Sequence, residues 1–354
     1  MPEQLPASRF LQACYYFQRA LSFRCPDLMT TMPARSRNPR LTQASTPTSA
    51  SVRPFLKWAG GKRQLLAQLA RFHPPQFGAY FEPFLGSGAL FFDLYRRGRF
   101  SGRGVVLMDN NPDLIGCWLA VRNDAERVIR SLRRLADAHR TDPSACYYRV
   151  RDQRFNPIRR RLLGARHGDK CYPPSLAAML IYLNRTGFNG LFRLNKMGGF
   201  NVPLGQYDKP LICDAKNLRH VSSVLRRSES EVCEDRFEAV CRRAVPGDFI
   251  YFDPPYAPMS PTSFRSYTSD GFTSAEQREL QQVVIKLASR GCHVLLSNST
   301  APEVKALYVD NLQARSAGLR AHRVSARRSI NAHGSGRGYV DEYLITNIPP
   351  QDVG

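Results

Sequence analysis

The stretch "AYFEPFLGSGALFFDLYRRG", residues 79–98, changes its periodicity halfway along. The first part, around Tyr80 and Phe81, is a short apolar run of the kind that forms a buried strand. Gly86-Ser87-Gly88 then permits a tight turn, and beyond it Leu90, Phe91, Leu94 and Tyr95 recur at helical spacing on one side. A few residues later "GVVLMDNN", residues 104–111, reads as a second short strand that ends in Asp109. Strand, glycine turn, helix and strand make one βαβ unit, which places the chain in the α/β class with a doubly wound sheet.

Beyond this unit the alternation stops and later resumes. From 116 to 233 the chain is Arg-laden and helical, as in "RVIRSLRRLADAHR", and then loop-rich, as in "NRTGFNGLFRLNKMGGFNVPLGQYDKP". After that come "DFIYFDPPY" as a strand, "TSAEQRELQQVVIKLASRG" as a helix capped at its start and ended by Gly291, and "HVLLSN" and "DEYLITN" as further strands. The expected organisation is a catalytic domain in two parts, 53–115 and 234–354, split by an inserted domain at 116–233. Residues 1–52 should form a disordered basic tail, because "TTMPARSRNPRLTQASTPTSASV" has too few large apolar groups to offset the entropy of ordering.

The 354 residues carry 51 Lys plus Arg against 29 Asp plus Glu, a formal charge of +22 that draws polyanions, nucleic acid first among them. The nine cysteines include no C-x-x-C pair and form no ligand cluster, which fits reduced thiols and neither a disulfide framework nor a metal site. No run is long and apolar enough to span a membrane, and "LQACYYFQRALSF" is broken by Gln18 and Arg19, unlike a secretory signal. A cytoplasmic protein is expected, with no mark of an obligate protein partner.

Three constellations carry chemistry. Asp109 follows Gly88 by 21 residues, the spacing at which a strand-tip acid accepts hydrogen bonds from ribose hydroxyls. The missing third glycine in "FLGSGAL" argues against a pyrophosphate-bearing dinucleotide and leaves a nucleoside cofactor open, beside the plainer reading of a tight turn and a capping acid. In "FLKWAGGKRQLL", Leu56 and Arg63 break a phosphate-loop reading, but Trp58 and Lys62 could meet a cationic ligand and its carboxylate. In Asp253-Pro254-Pro255-Tyr256 the prolines fix the main chain where a strand ends, so that the Asp253 carboxylate and the Pro254 carbonyl can aim at one amino group. Tyr256 adds a flat face for a base.

With these motifs in order, the chain resembles the Dam family of adenine-N6-specific DNA methyltransferases over residues 53–346. The likeness rests on "PFLKWAGGK", "FEPFLGSGAL", "LMDNNPDLI", "YLNRTGFNGLFRLN", "FNVPLGQYDKP", "YFDPPYAP" and "ARRSINAHGSGRGYVDE". It implies a class I methyltransferase fold with a mixed sheet, an inserted, mainly helical DNA-recognition domain, S-adenosylmethionine as methyl donor, and duplex DNA as partner. It further implies that Trp58, Lys62, Asp109 and Asp253 contact the donor, while Asp253, Pro254 and Tyr256 hold a flipped adenine. Arg193 becomes the candidate for a bidentate guanine contact, with Asn189, Leu191, Lys57 and Tyr207 also on DNA. GATC is the family's usual site, although Gln206 and Phe188 stand where the family often has Arg and Tyr. Two rival readings are methylation of an amine on RNA or on a side-chain amide, and a DNA-binding protein without activity; Asp109, Asp253 and Tyr256 oppose the latter.

Overall fold

A computed structural model of the chain describes residues 52–58, 60–164, 172–259, 272–327 and 339–351. Seven strands form one sheet: β1 Tyr80–Glu82, β2 Val105–Asp109, β3 Glu231–Glu234, β4 Phe249–Phe252, β5 His293–Ser299, β6 Arg320–Arg327 and β7 Tyr339–Thr346. Their order is β3-β2-β1-β4-β5-β7-β6, and β7 runs antiparallel to both of its neighbours. The strand order reverses between β1 and β4, which are paired in parallel with Tyr80 opposite Phe249. In open α/β sheets ligands bind outside the carboxyl ends of the strands at such a reversal.

The two-residue period of the strands sorts their side chains into two cores. Tyr80, Leu107, Phe249, Tyr251 and Leu295 enter one, and Phe81, Met108, Ile250, Phe252 and Leu296 the other. Over the first face lie α1 (Ala89–Arg96), α2 (Pro112–Thr141), α3 (Pro174–Thr186) and α4 (Ala215–Arg227); α5 (Ser274–Ser289) covers the second. The start of α2 is set by Asn111, whose side chain accepts from the Asp113 and Leu114 amides, and by Pro112, which lacks the N–H that would need a partner. At Asp124 the helix breaks (φ −147°, ψ 63°), and both parts meet α3, Cys117 at Ala177 and His139 at Tyr182. Thr273 and Glu276 form a capping box at α5, and Gly291 past its end has φ +83°.

The βαβ unit and the later alternation stand where the sequence placed them. Two strands add to it, both polar. β3, "EVCE", pairs with β2 from Val106↔Glu231 to Asp109↔Glu234, so the expected 233/234 boundary falls inside a sheet strand. β6, "RAHRVSAR", is the opposite edge, where arginines discourage pairing with another chain and also hide the strand's periodicity. The helices that follow β2 belong to the same compact unit as the sheet. Of the expected tail, only Val52 is among the described residues, and it is buried.

Candidate active site and nucleic-acid segment

The carboxyl ends of β1, β2 and β4 bring the first group of candidates together. Past β1 the chain turns at Gly86 and Gly88, with φ +47° and +65°, angles that disfavour any side chain. A Cβ at Gly88 would lie 2.7 Å from Trp118 Cη2, and one at Gly86 would lie 3.0 Å from Trp58 Cδ1. The indole of Trp58 therefore lies against the turn, and its ring also stacks on Phe192 at 5.6 Å. Asp109, at the tip of β2, accepts from the Gly86 amide through one oxygen (3.1 Å) and from the Asn111 amide through the other (3.0 Å). The Asn110 amide also acts on this carboxylate, which keeps lone-pair capacity for a ligand donor. Burial pushes the Asp109 carboxyl up to about 6 against the pull of those amides.

At the end of β4, Asp253 Oδ1 lies 2.7 Å from Lys62 Nζ, whose ammonium also donates to Gly60 O at 2.6 Å and sits 4.6 Å from the centre of the Tyr256 ring. Burial raises the Asp253 carboxyl to about 6; Lys62 pulls it down and the Glu342 charge pushes it up. The loop after Asp253 is held by groups far away in sequence. Gln277 Nε2 donates to Pro255 O (3.2 Å), the Ala257 amide donates to Asn298 Oδ1 (3.3 Å), and Ser299 Oγ donates to Ala257 O (2.7 Å). The Tyr256 hydroxyl donates to Glu342 Oε2 at 2.6 Å. No described group donates to the Pro254 carbonyl, which is left able to accept from a ligand.

Close by, the buried Glu82 of β1 accepts from the Tyr80 hydroxyl at 2.9 Å. Burial pushes its carboxyl up to about 8; the Tyr80 bond and the Phe91 amide oppose the shift, and the Asp253 and Asp109 charges add to it. Burial therefore favours the protonated form of Glu82. Next to Asp109, the residues Pro83, Phe84, Asn110, Arg236, Phe237, Phe272 and Glu276 line a cleft in which Phe84 and Phe237 stack at 5.4 Å. Glu82, Phe84, Phe237, Gln277, Asn298, Ser299 and Glu342 escaped sequence reasoning, although Phe84 lies within two residues of the glycine turn.

The second group of candidates lies on the loop after α3. Asn184, buried near the end of α3, accepts from the Lys57 amide (2.8 Å) and donates to Lys57 O (2.7 Å) and Gly190 O (2.8 Å), which ties the 54–58 segment to that loop. Asn189 takes the left-handed conformation (φ +53°), and Leu191 and Arg193 follow it on the same loop. Arg193 Nε donates to Asn201 Oδ1 at 2.8 Å, leaving the far edge of its guanidinium unpaired in the described contacts. Lys57 Nζ lies 4.3 Å from the centre of the exposed Tyr207 ring. The loop is itself gripped: Asn156 bonds both the amide and the carbonyl of Phe200, and Arg159 donates to Gly198 O while pairing with Asp113 Oδ2 at 2.6 Å. Thus Lys57, Asn189, Leu191, Arg193 and Tyr207 gather around one loop, as Trp58, Lys62, Asp109, Asp253, Pro254 and Tyr256 gather around the strand ends.

Among the described residues no group of three or more His, Cys, Asp or Glu side chains could hold a metal ion, and no helix is long and apolar enough to cross a membrane. The described cysteines are free thiols.

Residues 58–330 match the family model of the D12 class N6 adenine-specific DNA methyltransferases. The type II methyltransferase M.MjaIII of Methanocaldococcus jannaschii is 38% identical over 307 residues, covering 84% of this chain and 99% of that protein. The type II methyltransferase M1.LlaDCHI of Lactococcus lactis subsp. cremoris is 37% identical over 298 residues (84% and 96%), and the DNA adenine methylase of Escherichia coli K12 is 35% identical over 302 residues (84% and 96%).

Proposed function

Since the chain belongs to the D12 class of N6 adenine-specific DNA methyltransferases, we propose that it methylates adenine within GATC in duplex DNA, using S-adenosylmethionine and a base turned out of the helix. When bound, S-adenosylmethionine supplies a methyl group on a sulfonium, already activated for direct transfer. The donor set fits that molecule. Asp109 has lone pairs for two ribose hydroxyls, Phe84 and Phe237 offer flat faces beside it, and Lys62 and Trp58 suit a carboxylate and a sulfonium.

The observation that carries the acceptor side is the place of the Lys62 ammonium, a nitrogen with N–H donors that meets the Asp253 carboxylate and the Tyr256 face together. With Lys62 turned from Asp253 to the carboxylate of the donor, an exocyclic amine takes that place and donates to Asp253 and to the Pro254 carbonyl. Both bonds turn its lone pair out of conjugation with the ring, and the carboxylate stabilises the positive charge that grows on nitrogen. Tyr256 stacks on the base and offsets part of the cost of unstacking it from the duplex. Arg193 reads guanine with the unpaired edge of its guanidinium, while Lys57, Asn189, Leu191 and Tyr207 contact DNA beside the vacated position. The helices and the loop between β2 and β3 carry the DNA-reading part. GATC rests on the likeness of "GFNGLFRLN" to the reading loop of the Dam family.

The test is transfer of labelled methyl from S-adenosylmethionine to unmethylated duplex DNA, followed by sequencing of the modified adenines in a methylation-free host. Transfer to RNA with none to DNA would sink the acceptor assignment. Modification of adenines outside GATC would sink the site.

A further inference from the structure

We infer that Glu342, which contacts neither base nor donor in this reading, is a positioning residue that fixes the Tyr256 ring for stacking; the inference rests on the role proposed above for Tyr256. Glu342 Oε2 accepts the Tyr256 hydroxyl at 2.6 Å, a bond between residues 86 positions apart in the chain. Burial, together with the Asp253 and Glu342 charges, holds the phenol well above its ordinary pKa, so the hydroxyl remains a donor throughout the working pH range. A hydrogen bond to a charged acceptor is among the stronger kinds.

The sheet explains why Glu342 reaches this loop. Glu342 of β7 is in register with Ser299 of β5, so the two side chains leave the same face of the sheet. Ser299 Oγ holds the Ala257 carbonyl at 2.7 Å while Glu342 holds the tip of the preceding side chain. Together with Asn298 and Gln277, the pair attaches the loop by its backbone and the ring by its far end. The backbone bonds alone leave the χ1 rotamer of Tyr256 open. The bond at the ring's tip selects one rotamer, and with it the plane on which a base lies.

The experiment is a double-mutant cycle on the full chain, using a duplex that carries the sequence found modified, with 2-aminopurine in place of the target adenine for fluorescence and adenine for turnover. Glu342→Ala should lower kcat by ~10- to 100-fold, the scale of a lost bond to a charged acceptor, with KM for the methyl donor little changed. Stacking on Tyr256 should weaken, so 2-aminopurine should be less quenched than in the parent complex. Glu342→Gln keeps an acceptor oxygen and should restore most of the rate. Tyr256→Phe deletes the same bond from the other side, and the double variant should be no worse than either single one. Parental kcat in Glu342→Ala, or a double variant whose loss is the product of the two, overturns the inference. Should Glu342→Ala fail to fold, Tyr256→Phe decides it: a loss of that size supports the bond, and parental turnover removes it. Parental turnover in Tyr256→Ala would instead overturn the stacking role, a separate result.

Discussion

Replacing Glu82 by Gln should flatten the dependence of stability on pH. In the folded chain burial raises this carboxyl to about 8, against an ordinary value of 4.5. Because the folded state binds the proton more tightly than the unfolded state, stability from this group is present at low pH and is lost as pH rises from 4.5 towards 8. Integrating between those two values, the group removes roughly 2–3 kcal/mol between pH 5 and pH 7, and about 1 kcal/mol more by pH 8. Glutamine cannot ionise. The fit of its amide to the Tyr80 hydroxyl and the Phe91 amide shifts the whole curve by a constant and leaves its slope alone. Asp109 and Asp253, each raised to about 6, add slope of the same sign at lower pH in both proteins and largely cancel in the difference. The assay is urea unfolding followed by circular dichroism at intervals from pH 5 to pH 8, without ligands. The difference in stability between parent and Glu82→Gln should move by roughly 2–3 kcal/mol in favour of the variant between pH 5 and pH 7. Parallel curves would refute the view of Glu82 as a neutral buried acid.

Asp253→Ala should abolish methyl transfer while duplex DNA still binds in a filter or anisotropy assay; near-normal turnover would remove Asp253 from the mechanism. In the parent, kcat/KM should fall as pH drops through about 6, where Asp253 takes up a proton and can no longer accept from an amine. Gly88→Ala should cost ~2–4 kcal/mol, since its Cβ meets a buried Trp118 ring that is stacked on Phe92 and its φ is +65°; an unchanged urea midpoint would contradict this. Arg193→Ala should relax discrimination at one base pair by ~1–3 kcal/mol, read as the ratio of kcat/KM on duplexes differing at that pair, and an unchanged preference would count against the guanine contact.

The glycine turn, Asp109 and Asp253 could be read from the sequence because each sits where local pattern and chemistry coincide: a strand period ends and a residue with a distinctive backbone or charge follows. Glu342 and Asn298 could not. Each is a polar residue within a strand, and its role depends on which strand lies beside which. Gln277 looks like any polar position on a capped helix until the loop carrying Pro255 is laid across it. β3 and β6 were missed for the opposite reason: edge strands carry charge to avoid sticking, and charge erases the apolar alternation by which strands are recognised. Glu82 was in plain view, but nothing in a sequence says that its carboxyl is buried deeply enough to favour the protonated form.

The grip on the loop of Arg193, proposed above to read DNA, bears on attempts to give this enzyme a new recognition word. Arg159 holds the Gly198 carbonyl and is itself held by Asp113, four residues beyond Asp109, so the loop is fastened to the same strand end that carries a proposed donor contact. A graft that exchanges residues 187–207 alone would leave Asn156 and Arg159 facing a backbone shaped for other partners. The smallest transferable cassette is the loop together with the side chains that grip it, Tyr147, Arg151, Asn156, Arg159 and Asn184.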